Sequence, residues 1–458
     1  MYRILKIGMD VHTTNYTLCA LESKLGGDHT LAIIKVGPDY KNVLDFIRKI
    51  KEKMDPKGQD NIEVECGYEA GCLGYSLYQQ LTACNVKCKI LAPTTMRTER
   101  GPRIKTDKRD AKLIADCLSN GGFKAVYIPT AQDNAVKEYI RMRDDHKQAL
   151  KKIKQQINAL CTRFGFSYDG TYWSGRHLKW LEGLKMSELI RETLNEYLLT
   201  YNELTAKIER YDERIREISD QSEYQEKARK LECFLGIKTH TAMALIVETG
   251  DFKRFRKGNI YAAYLGLAPG EHSSAESGGK LGITKAGNSH LRRLLIEAAG
   301  GICKGAIGKK AKDLAARQKG NLTEVIAYAD KANIRLRSKY YRMIRHGKKR
   351  NVAVAAVARE LACFIWGMVT DNIRGNAARH LRSCRPGQNM FGRLVLSHGD
   401  GRDGIGTKEN KFPAHRLIDC SRPNITCPGN RPGSSIFPAS VWREKSPLPA
   451  RTAGLSAA

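Results

Sequence analysis

Several absences narrow this chain first. No long uncharged apolar run marks a spanning helix, so a membrane is not an expected partner. The stretch Met1 to Val11 lacks both the extended apolar region and the small-residue cleavage site of a secretory signal, so a cytoplasmic location is expected. None of the 13 cysteines falls in a Cys-x-x-Cys pair, which argues against a structural zinc site; most read as small buried hydrophobes. Acidic residues are scarce beside basic ones, 48 Asp and Glu against 78 Lys and Arg, giving a formal charge of +30 and a pI near 9.6. Such an excess points to a polyanionic partner, nucleic acid before membrane.

What is present reads as alternating strands and helices over the first hundred residues. Ile4 to Val11, Tyr16 to Leu21 and Thr30 to Val36 have strand composition at hairpin spacing, which suggests an antiparallel meander. Tyr40 to Met54 has helical spacing in Val43, Phe46, Ile47 and Ile50. Asn61 to Cys66 follows as a strand, Cys72 to Ala83 as a helix and Lys87 to Leu91 as a strand.

Next comes Arg103-Ile104-Lys105-Thr106-Asp107-Lys108-Arg109-Asp110-Ala111, two carboxylates inside a dense basic run. If the segment is helical, Asp107 and Asp110 stack on one face, one turn apart, where they can grip a hard divalent cation. Lys105, Lys108 and Arg109 would draw a polyanion to it. The plainer alternative is a solvated helix start with acids at the positive end of the dipole.

From about Ala135 the chain turns long, charged and helical. Leu150, Ile153, Ile157, Leu160 and Phe164 form one stripe, Gly165 to Trp173 interrupts it, and Leu194, Tyr197, Tyr201, Leu204, Ile208, Tyr211, Ile215 and Ile218 form a second. Their 3-4 alternation predicts a coiled coil, paired within the chain or between chains. Leu231 to Phe255 reads as helix, turn, helix around Gly236, with DNA contact or simple packing both open. The helix Asn351 to Val369 is apolar enough to close a core. After Asp371 periodicity is lost and more than half of the 14 prolines fall there, so a disordered basic tail is expected; most of the positive charge nevertheless precedes it.

The strings IGMDVH, YEAGCLGY and KTDKRDAKLIA, in that order, resemble the insertion sequence 110 family of transposases. The resemblance covers roughly residues 1–370. It implies an α/β N-terminal ribonuclease-H-like (RuvC-like) domain, then a helical coiled-coil arm and a mainly helical C-terminal domain. By motif match it implies a magnesium-binding acid quartet of Asp10, Glu69, Asp107 and Asp110; Glu63 and Glu65 are the rivals to Glu69, which lies past their strand. The segment Tyr264 to Ser274, leading to Gly282 to Asn288, resembles the family's second domain, which supplies a serine nucleophile. The match points to Ser274, with Ser273 and Ser277 as competitors, and to Lys285, Arg292 and Arg293 as phosphate contacts.

The expected domains are 1–130 (ribonuclease-H-like DEDD), 131–230 (coiled-coil region), 231–372 (serine transposase domain) and 373–458 (tail). The implied function is Mg2+-dependent cleavage and rejoining of DNA through a phosphoserine. The implied partners are donor and target DNA, an element-encoded guide RNA and further copies of the chain in a dimer or tetramer. The alternatives are a magnesium-dependent junction-resolving nuclease that uses water, and an inactive copy that only binds nucleic acid.

Overall fold

Apolar alternation builds the first sheet. In the computed structural model, which describes residues 2–24, 27–71, 73–96, 106–274 and 277–373 (backbone only at 271–274 and 277–281), Leu5, Ile7 and Met9 are buried along one face of β1 (Tyr2–Val11). Leu18 and Ala20 continue that face on β2 (Tyr16–Ser23), and β3 (His29–Val36) completes the meander. The turn between β1 and β2 is closed by the His12 amide donating to the Asn15 carbonyl at 2.9 Å.

α1 (Tyr40–Met54) starts at Asp39, whose carboxylate accepts from the Lys41 amide, and buries the four apolar residues its spacing predicted. β4 (Asn61–Glu69), α2 (Ser76–Ala83) and β5 (Lys87–Leu91) follow. The strand order is β3-β2-β1-β4-β5, with the first three antiparallel and β1, β4 and β5 parallel. α1 and α2 cover one face, packing Phe46, Ile50, Leu77 and Leu81 against Leu5, Ile7, Met9 and Tyr68.

The opposite face belongs to α3 (Asp107–Asn120). The Thr106 hydroxyl caps it by accepting from the Arg109 amide, and Gly121 ends it in the left-handed region at φ 68°. Ala111, Ile114, Ala115 and Leu118 of α3 meet Cys19, Leu21 and Leu91 of the sheet. This mixed α/β domain with its five-stranded sheet, followed by a mostly helical region, agrees with the ribonuclease-H-like expectation. The structure also refines two boundaries. Glu69 is the last residue of β4 rather than beyond it, and α3 begins at Asp107 itself.

α4 (Ala131–Arg163), α5 (Gly175–Gly183) and α6 (Glu188–Ser219) come next. α4 and α6 lie antiparallel within the chain. Arg143 reaches Asp212 near one end, and Ile157 and Leu160 share a cluster with Leu194 and Tyr201 near the other. The Gly165 to Trp173 interruption folds back over that end, with Trp173 stacked on Tyr201 at 5.2 Å and Lys154 above both rings.

At their other end, Val136 and Ile140 of α4 and Ile215 and Ile218 of α6 enter the core of the last helical segment. That segment comprises α7 (Gln225–Glu232), α8 (Thr239–Thr249), α9 (Gly258–Tyr264), the hairpin β6 (Pro269–Ser274) and β7 (Ser277–Ile283), then α10 (Ser289–Ile302), α11 (Lys312–Gln318), α12 (Thr323–Arg345) and α13 (Arg350–Val369). The turn between α7 and α8 packs against α10. Gly236, at φ 85°, approaches so closely that a Cβ would sit 2.6 Å from the Ala298 carbonyl oxygen. Among the described residues α13 alone is long and apolar enough to cross a membrane. About half of α13 is buried, and its Glu360 pairs with Lys339 and Arg335 of α12, as befits a core helix. The expected tail lies outside the described residues apart from Ile373.

Candidate active site

Two glycines decide where α3 crosses the sheet. A Cβ on Gly8 would lie 2.2 Å from the Ala111 carbonyl oxygen and 2.3 Å from the Ala115 amide, so the backbones of β1 and α3 are in direct contact. Gly67, the partner of Gly8 on β4, leaves room for Leu118 in the same way. With α3 held at that point, its first turn lies over the end of β1, where Asp10 follows Gly8 on the same face.

Donor atoms of Asp10, His12 and Asp107 accordingly lie within 4.8 Å of one another. His12 Nε2 stands 3.3 Å from Asp10 Oδ2, and Lys35 Nζ donates to Asp107 Oδ2 at 3.1 Å. The side chain of Asp10 is 17% exposed and that of Asp107 is 45% exposed. Burial pushes the Asp10 carboxyl up from its ordinary value; His12 opposes this, while Asp110 and Asp107 add repulsion. Lys35 pulls Asp107 down. Directly across from Asp10 on β2, the hydroxyl of buried Thr17 has no hydrogen-bond partner among the described residues.

Half-buried carboxylates that repel one another, beside an orphaned hydroxyl, suit a hydrated divalent cation. The oxygens are hard donors, and a cation-bound water would satisfy the hydroxyl.

Glu69 ends β4 one residue beyond the Met9 and Tyr68 pair, on the sheet face that α3 covers, but its carboxylate is not among the donor atoms that gather with Asp10 and Asp107. Asp110 is one turn along α3 from Asp107. Glu63 and Glu65 share that face of β4 but are neutralised by lysines of the adjacent strands: Lys6 and Lys89 flank Glu65, and Lys87 holds Glu63. Lys108 and Arg109 are exposed on the first turn of α3, and Lys105 lies outside the described residues.

Ser274 closes β6, paired in register with Ser277, and its side chain is not among those described. The root of the hairpin is well fixed. The Lys285 amide donates to the Gly266 carbonyl at 3.1 Å, Lys285 itself standing at φ 57°. Arg292 Nη1 donates to the carbonyls of Leu265 and Ala286 at 3.0 and 3.1 Å. Arg293 reaches across to Asp144 of α4 at 2.5 Å. Both arginines are therefore engaged within the chain.

Asp144 is the centre of a charged joint that residue patterns gave no sign of. Beside Arg293 it meets His240 of α8 at 2.9 Å, His290 of α10 at 3.4 Å and its neighbour Arg143 at 3.1 Å. Burial opposes its ionisation, but His240 and Arg293 prevail and hold it well below the usual carboxylate range. Close by, buried Glu248 accepts two hydrogen bonds from Arg141, at 2.7 and 3.0 Å, and one from Asn288 at 2.9 Å. Asn288 in turn caps α10.

Two family models match the chain. A DEDD transposase model of the IS110 kind covers residues 7–165, and one described as the IS116/IS110/IS902 family transposase covers residues 228–314. The transposase for insertion sequence element IS1533 of Leptospira borgpetersenii is 30% identical over 346 residues, which cover 74% of this chain and 96% of that protein. The chain belongs to the IS116/IS110/IS902 transposase family.

The y4qE transposase of Sinorhizobium fredii is 29% identical over 81% of this chain and 90% of its own. The transposase for insertion sequence element IS1111A of Coxiella burnetii is 23% identical over 56% and 70%. In this family member the first matched segment contains Asp10, Glu69, Asp107 and Asp110, and the second contains Ser274, Lys285, Arg292 and Arg293.

Proposed function

We propose that this transposase cleaves and rejoins DNA strands, with a Mg2+-binding carboxylate centre formed by Asp10, Glu69, Asp107 and Asp110 and with Ser274 as the nucleophile. The observation that carries the reading is the meeting of Asp10 and Asp107 at the crossing of β1 and α3, inside a segment that matches a DEDD transposase. When bound, Mg2+ would polarise the scissile phosphate and stabilise charge on the leaving oxygen.

The remaining roles fall to the chain itself. The Ser274 hydroxyl attacks phosphorus, a serine–phosphate bond forms as one bond to deoxyribose oxygen breaks, and that oxygen leaves with a proton. Reversal by a new DNA hydroxyl restores the serine and joins the strands without an outside energy source. Lys108 and Arg109, exposed beside Asp107, attract the phosphate backbone, as do Lys105 and Lys285. Arg292 acts chiefly by fixing the hairpin root that carries Ser274, and Arg293 by tying α10 to Asp144 of α4.

The +30 charge supports nucleic acid as partner, with donor and target DNA chosen through an element-encoded guide RNA. The α4 and α6 pair is the proposed coiled-coil arm. Its stripe Leu194, Tyr201, Ile208 and Ile215 is buried within the chain, so the dimer or tetramer forms through other faces. Incubating the protein with donor DNA and Mg2+ and resolving it on denaturing gels tests the mechanism. A protein–DNA adduct that disappears in Ser274→Ala is expected. Free cleavage products from a fully active Ser274→Ala would instead establish a nuclease that uses water.

A further inference from the structure

The carboxylate centre has a neighbour outside the acid quartet. His12 occupies the short turn between β1 and β2, its amide tied to the Asn15 carbonyl at 2.9 Å, so the backbone beneath the imidazole is fixed. Its Nε2 stands 3.3 Å from Asp10 Oδ2, and it is one of the three groups whose donor atoms lie within 4.8 Å of one another. Two donors bound at about 2.1 Å to one ion, at right angles, are separated by about 3 Å, and opposed donors by about 4.2 Å. The spacing of His12, Asp10 and Asp107 is therefore close to that of ligands sharing one cation.

A second observation comes from the strand opposite. Thr17, 1% exposed and facing Asp10 in the antiparallel register, has a hydroxyl without a partner among the described residues. A buried hydroxyl left unpaired is destabilising, and a cation-bound water between it and Asp10 would remove that cost. The polar groups around Asp10 are thus arranged for a hydrated ion rather than for one another alone.

We propose that His12 is a nitrogen ligand of the divalent cation held by Asp10 and Asp107, giving this centre a mixed nitrogen and oxygen donor set. The inference rests on the metal-centre reading above and extends it to which ion the site prefers. Imidazole binds first-row transition ions better than it binds magnesium, whereas carboxylates accept either. The site therefore takes Mn2+ more tightly than an all-oxygen quartet would, and Mg2+ with His12 contributing little.

The test uses the full chain loaded with Mn2+ and a pulsed electron paramagnetic resonance measurement of nitrogen coupling, with calorimetric titration of Mn2+ and Mg2+ alongside. Wild type is expected to show one coupled imidazole nitrogen. His12→Ala is expected to lose that signal and to bind Mn2+ about tenfold more weakly, with a smaller change for Mg2+. His12 is 52% exposed, so the variant keeps its fold, and a melting curve verifies this. Manganese bound through Asp10 without nitrogen coupling, or coupling that persists in His12→Ala, overturns the role of His12 and leaves the carboxylate centre standing. Failure of wild type to bind either ion, with Asp10→Asn indistinguishable from it, overturns both.

Discussion

Gly8 and Ala111 meet backbone to backbone, the missing Cβ of Gly8 pointing at the Ala111 carbonyl oxygen from 2.2 Å away. Because the obstructing atoms are helix backbone, α3 must move as a body if a methyl group is added. Gly8→Ala is expected to cost about 1–3 kcal/mol or more and to shift Asp107 away from Asp10. At Gly67 the nearest atoms are the side-chain tips of Leu91 and Leu118, at 2.8 and 2.9 Å, which can rotate aside. Gly67→Ala is therefore the milder change. Thermal melting and Mn2+ titration of the two variants measure the difference; equal losses would contradict it.

Neutralisation separates the acids of β4. Glu65 is already satisfied by Lys6 and Lys89, while Glu69 ends β4 one residue beyond the Met9 and Tyr68 pair. Glu69→Gln is expected to reduce strand cleavage at least about a hundredfold, as Asp10→Asn and Asp107→Asn should, because several kcal/mol of charge stabilisation are lost. Glu65→Gln should leave the cleavage rate within a few-fold of wild type. A rate assay on labelled donor DNA decides between the two glutamates.

The three serines of the hairpin are separated by the adduct itself. Ser274→Ala is expected to abolish the covalent protein–DNA species, while Ser273→Ala and Ser277→Ala retain it. Mass spectrometry of the trapped peptide checks the position, and an adduct mapped to Ser273 or Ser277 would move the nucleophile along the hairpin.

Acid should loosen the joint around Asp144. Its folded-state carboxyl is held below the unfolded value of about 3.9, so its stabilisation is complete above about pH 5 and is lost progressively as the pH falls below that. Glu248 is depressed in the same sense: burial raises its carboxyl, but Arg141 outweighs burial. Asp144→Asn is expected to cost about 3 kcal/mol at neutral pH, since Arg143 and Arg293 lose a buried partner. Its melting temperature should also fall less steeply than that of wild type between about pH 5 and 2. Parallel acid limbs in the two proteins would show that Asp144 is not the group responsible.

The amino-acid sequence alone determined the local elements. The strand composition of Ile4 to Val11 and the 3-4 spacing of Val43, Phe46, Ile47 and Ile50 depend only on nearby residues, and a strand and a helix form over those residues. The order of Asp10, Glu69, Asp107 and Asp110 along the chain was likewise legible.

The tertiary structure decided which groups meet and which are neutralised, because strand register and helix crossing are non-local. The parallel pairing of β1 and β4 sets Glu69 one residue past the partner of Met9, and lysines across that sheet neutralise Glu63 and Glu65. Whether the stripe of α6 would pair inside the chain, whether Arg292 and Arg293 would be engaged, and whether His12 would face Asp10 all depended on contacts between residues far apart in sequence. Periodicity records which face of an element is apolar; packing determines what that face meets.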